Sequence, residues 1–191
     1  SGETYDAIRV SNHSHIDLNS VSVKLNGSRG LSIRETSIAH INSSTIENNG
    51  TTGEWSNAVD VSGHSKIRLY SSTLSSAYGN GLNVHNDSSV NITHSSIEST
   101  YSDRWGGNAV DLSGQSEVSF NRDDRLSINT ITLSAVSFPL KARGKSQIHI
   151  NTPITLTSSS AWNSIQLERG SKLYLNSFGD PQSLTLERVH A

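Results

Sequence analysis

An Asp, a His and a Ser fall within six residues, at Asp60, His64 and Ser65. Those are the side chains of a nucleophilic hydrolase, in which a base activates a hydroxyl. The spacing argues against that chemistry. A nucleophile elbow reads G-x-S-x-G, and Ile67 stands where its second glycine belongs. The block also recurs: NAVDVSGHSKIRL at 57–69 becomes NAVDLSGQSEVSF at 108–120, with Gln115 in place of His64. A catalytic base is not exchanged for an amide between copies of a working site. The pattern reads as a structural brick, with Asp60 and His64 facing solvent.

Carboxylate pairs are the second possibility, as in enzymes that cleave polysaccharides. Asp60 and Asp111 recur two repeats apart, roughly 10 Å if repeats stack as strands, with Asn83 between them. Asp123 and Asp124 lie together but are flanked by Arg122 and Arg125, which suggests a solvated, self-paired loop. Eight histidines are scattered along the chain; His13 and His15 alternate along one strand with no third ligand after them. There is no cysteine, so neither a disulfide framework nor a thiolate metal site is available. No catalytic residue, metal or cofactor is expected.

The elements that carry these residues come from a repeat. Serine makes up roughly a fifth of the chain, and seven of them (Ser14, Ser37, Ser65, Ser88, Ser116, Ser146 and Ser171) share one local frame. Apolar residues stand six and four positions before each and two and four positions after, twenty-eight positions without exception. The anchors are 23, 28, 23, 28, 30 and 25 residues apart. Alternation within each run has the period of a strand. A turn-former precedes most anchors, at Asn12, Gly63, Asn86, Gly114, Gly144 and Gly170, where a sharp corner requires positive φ. A third apolar position follows in each unit, as at Val23, Ile46, Leu74 and Ile97.

Three short strands per repeat, seven times over, predict an all-β chain: a right-handed parallel β-helix solenoid of about seven coils of 23–30 residues. At strand spacing the coils make a rod roughly 33 Å long. Residues 1–191 read as a single β-helix domain, expected to be a fragment of a longer protein because neither end carries a cap. The insertion around NRDDRLSINT is expected to disturb the third side of coil five, and the tail SFGDPQSLTLERVHA to begin a turn that is never completed.

The formal charge of −2 and sequence pI near 6.4 give no basic stripe for nucleic acid. No apolar run is long enough to insert in a membrane as a helix. Aromatic residues form the more informative pattern. Tyr5, Trp55, Tyr78, Trp105 and Trp162 each fall three to five residues before a coil's first core position. The solenoid would align them along one corner, either as a binding column or as rings that shield the core where loops leave it. The candidate partner-binding residues are Glu54, Trp55, Tyr78, Tyr101, Asp103, Arg104, Trp105 and Trp162.

The runs GNGLNVHNDSSVNITHSSIEST and GGNAVDLSGQSEVSF resemble repeats of pertactin-like autotransporter passenger domains from Gram-negative bacteria. The resemblance implies export through an outer-membrane barrel and display on the bacterial cell surface. It also implies non-enzymatic adhesion, with a role in virulence or biofilm. The expected partners are a host surface glycan, an extracellular-matrix protein or further copies of the chain. The chain carries no RGD motif. Two other readings stay open: a polysaccharide-degrading β-helix of the tailspike or pectinase-like kind, and a purely structural spacer.

Overall fold

Apolar residues two apart can be buried together only on one face of a strand, and three such faces per repeat enclose a core between them. A computed structural model, which describes residues 6–25, 29–48, 56–100, 107–125, 131–159, 164–176 and 184–188, has this arrangement. The first two coils contain β1 (Ile8–Val10), β2 (His15–Asn19), β3 (Ser22–Leu25), β4 (Leu31–Ile33), β5 (Ile38–Asn42) and β6 (Thr45–Asn48). Coils three and four contain β7 (Val59–Val61), β8 (Lys66–Tyr70), β9 (Thr73–Ser76), β10 (Leu82–Val84), β11 (Ser89–Thr93) and β12 (Ser96–Ser99). Coils five and six contain β13 (Val110–Leu112), β14 (Glu117–Asn121), β15 (Thr132–Ala135), β16 (Leu140–Ala142), β17 (Gln147–Ile150) and β18 (Ile154–Ser158). The last coil has β19 (Ile165–Leu167), β20 (Lys172–Leu175) and β21 (Leu184–Arg188).

Every third strand pairs in parallel, giving three seven-stranded sheets. Register is set by the core columns. Ile8, Leu31, Val59, Leu82, Val110, Leu140 and Ile165 are successive partners in the first sheet, the very residues placed six before each serine. The inner coils bury these columns completely, and each enclosed Val, Ile or Leu contributes roughly 1.5–3 kcal/mol. In the terminal coils the columns have a neighbour on one side only. There Ile8, Ile16, Ile165 and Leu173 are partly buried, and Leu167 and Leu175 are exposed.

Two sequence expectations are corrected. The insertion does not disturb the third side of coil five: β15 keeps register with β12 and β18. The tail does not start a turn that goes unfinished, because β21 pairs with β18 and supplies the third side of the last coil.

The corners explain the serines. The backbone N–H groups of Ser14, Ser37, Ser65 and Ser88 donate to the Oγ of Ser37, Ser65, Ser88 and Ser116 in the next coil, at 3.1–3.3 Å. A corner N–H turned into the wall would otherwise lack a partner, and Ser is small enough to stack there. A second ladder runs through Ser44, Ser72 and Ser95 at the next corner. It ends where the insertion enters: Ile131 and Ile154 take the equivalent places and are buried.

Each corner before an anchor serine has two consecutive residues in the left-handed region, such as Asn12 and His13, Glu35 and Thr36, or Gly63 and His64. The expected turn-formers supply the first of the pair in most coils. Glycine also permits close coil approach: a Cβ on Gly81 would lie 2.6 Å from Ile97 Cγ2 and 2.9 Å from the carbonyl oxygen of Glu98.

Candidate functional site

The strands of the first sheet are three residues long, so each has a single outward side chain. These form the row Arg9, Ser32, Asp60, Asn83, Asp111, Lys141 and Gln166. The order is the expected one, but the exposure is not. Asp60 and Asp111 are 3% and 5% exposed, not solvent-facing. A strand this short is overhung by corner residues from both of its ends. Asn57 and Asn83 donate to Asp60 Oδ1 at 3.2 and 2.8 Å, while His85 Nε2 and Arg29 Nε lie 3.5 and 3.8 Å from Oδ2. Arg29 also reaches Asp6 at 3.6 Å, tying coils one to three together.

Burial would raise the Asp60 carboxyl, but His85, Asn83 and Arg29 outweigh it and hold the group below the usual range. For Asp111 burial wins and pushes the carboxyl up, although Arg143, Lys141 and Asn108 act in the opposite direction. Asn108 donates to Asp111 Oδ2 at 3.0 Å, and Arg143 is 3.8 Å away. Asp111 Oδ1 and Asn108 Oδ1 are buried without a hydrogen-bond partner. The two aspartates stand two strands apart, about 10 Å, well beyond a retaining glycosidase pair at about 5 Å. Enclosure and spacing make this row a structural clasp.

The rest of the hydrolase cluster separates. His64 remains exposed on its corner, 3.6 Å from Asp87, whereas Ser65 is fully buried in the serine ladder. Asp123 and Asp124 also part. Asp124 stays in solvent beside Arg122, but Asp123 is buried, takes a fork of hydrogen bonds from Arg125, and accepts the Tyr70 hydroxyl at 2.7 Å. The loop is self-paired as expected, and it is also fastened to coil three.

Of the candidate partner-binding residues, Tyr78 is placed, at the corner between β9 and β10 and 38% exposed. Glu54, Trp55, Tyr101, Asp103, Arg104, Trp105 and Trp162 lie outside the described residues. Sequence reasoning missed two features. Asn57, Asn80 and Asn108 form a buried ladder in which Asn57 Oδ1 accepts the Asn80 backbone N–H and Asn80 Oδ1 that of Asn108, and the signal was an Asn two residues before three successive core positions. The second is a groove of about 550 Å³ lined by Gln115, Lys145, Gln147, Arg169, Gly170 and Lys172. Three cations converge there because residues on either side of the anchor serine become basic in the last two coils, which was visible in the sequence as GKS and RGSK.

No family model, curated protein or solved structure matches the chain.

Proposed function

We propose that this chain is a stiff β-helical segment of a surface-displayed adhesin, which binds its partner without chemical turnover. The observation that carries the reading is the groove of Lys145, Arg169 and Lys172, set among polar side chains on the outside of a rigid rod. Three cations with amide neighbours suit an acidic partner, such as a sulfated or uronate-bearing glycan or an acidic matrix-protein surface. Stacked coils supply the rigid frame that keeps such groups in place. Passenger-type export and cell-surface location come from the resemblance of the repeats and belong to the same proposal.

An array of acidic and neutral glycans and matrix proteins tests it. Retention on acidic glycans or acidic matrix proteins, weakened by Lys145→Ala with Arg169→Ala, is the expected result. Retention untouched by those changes, or none at all, overturns the groove as the contact surface. Trp55→Ala and Trp105→Ala in the same screen decide whether the aromatic column takes part.

A further inference from the structure

We propose that His15, Asp17 and His40 form a binding site for a divalent transition metal such as Zn²⁺ on the outer face of the second sheet. The sequence pairs His15 with His13 along one strand, with no third ligand after them. The fold selects other partners. His15 and Asp17 are two apart on β2 and share its outward face, while register sets His40 of β5 directly beside Asp17. His15 Nε2 and His40 Nδ1 lie 2.9 and 3.0 Å from Asp17 Oδ1, and the three donor atoms all fall within 4.8 Å of one another. The two imidazoles meet edge to face, with ring centres 4.8 Å apart.

Two imidazoles and a carboxylate are the donor set that first-row transition metals prefer over Ca²⁺ or Mg²⁺, which favour oxygen. Tetrahedral ligands about 2.1 Å from Zn²⁺ stand about 3.4 Å apart, so both His–Asp separations need to open by only about half an ångström to become adjacent coordination positions. All three side chains are partly exposed, at 47%, 54% and 35%, which leaves them free to turn onto an ion and gives the ion a path in. Around the cluster, Ile38 pairs with His15, and Lys66 and Arg68 of β8 follow Ile38 and His40 in register, so these two cations are the ones that oppose the ion. Three protein donors leave further positions for water or for a ligand from a bound partner.

Titration of the metal-free chain with Zn²⁺ by calorimetry, alongside melting curves with and without Zn²⁺, tests the site. One equivalent should bind and raise the melting temperature by mass action. His40→Ala and Asp17→Asn should each weaken binding by about tenfold or more, whereas His64→Ala and His149→Ala should leave it unchanged. Circular dichroism of each variant establishes that the β-helix is intact. Equal Zn²⁺ affinity in the wild type and the His15→Ala/His40→Ala double variant would overturn the proposal. So would an equal loss in the His64 or His149 controls.

Discussion

Asp60 and Asp111 lie on the same row of the first sheet, one strand to either side of Asn83, and their carboxyls are driven in opposite directions. The surrounding blocks are nearly identical, NAVDV against NAVDL. The difference comes from neighbouring coils: His85, Asn83 and Arg29 converge on Asp60, while Asp111 keeps a buried oxygen without a partner.

Opposite shifts give opposite pH dependence. The depressed Asp60 contributes stability above its unfolded value of 3.8, and that contribution is lost as pH falls through the folded value. The raised Asp111 contributes stability that is complete below 3.8 and is lost as pH rises through its folded value. Asp60→Asn should therefore cost about 1–3 kcal/mol at neutral pH, while Asp111→Asn should be neutral or mildly stabilising there. Urea unfolding of both variants across the acid-to-neutral range measures this, and matching profiles would contradict it.

The serine ladder predicts a different loss. Ser65 Oγ is the acceptor for the Ser37 N–H at 3.2 Å in a fully buried corner. Ser65→Ala leaves that N–H unpaired and should destabilise the chain by about 1–3 kcal/mol. Changing Ser22, exposed on β3, to Ala should alter the unfolding midpoint little, and an equal effect at both positions would count against the ladder.

Thr36 holds φ at 62° although its β-branch disfavours the left-handed region. Its backbone N–H donates to the Gly63 carbonyl, a bond that glycine retains. Thr36→Gly should raise stability by roughly 0.5–1 kcal/mol, as strain relief exceeds the added unfolded-state entropy. A lower melting temperature would contradict this account of the corners.

Much of the fold was legible because each core column repeats at one place in the frame: Ile8, Leu31 and Val59 differ in type but never in polarity. Glycine and asparagine marked most corners for the same reason, since few residues tolerate positive φ. Exposure of polar residues was less legible. Alternation predicts which side of a strand Asp60 is on, but not that Arg29, Asn57 and His85 from three coils close over it. The His15, Asp17 and His40 cluster was hidden similarly, since its members are 25 residues apart at the extremes and meet only through register.

Tyr70 offers a spectroscopic check on the insertion. Its hydroxyl donates to Asp123, and that bond pushes its ionisation above the ordinary tyrosine value. An ultraviolet pH titration should show the Tyr70 hydroxyl ionising late, and Asp123→Asn should lower its ionisation toward the ordinary tyrosine value. An unchanged titration would mean the loop is not fastened to coil three.

The proposal of a binding rod is tested most directly by incubating the chain with an acidic polysaccharide and measuring retention and new reducing ends together. Saturable retention is expected, lost when Lys145, Arg169 and Lys172 are replaced by alanine, with no new reducing ends. Reducing ends that accumulate with wild type and vanish in Asp60→Asn or Asp111→Asn would contradict it and identify the buried aspartate row as catalytic.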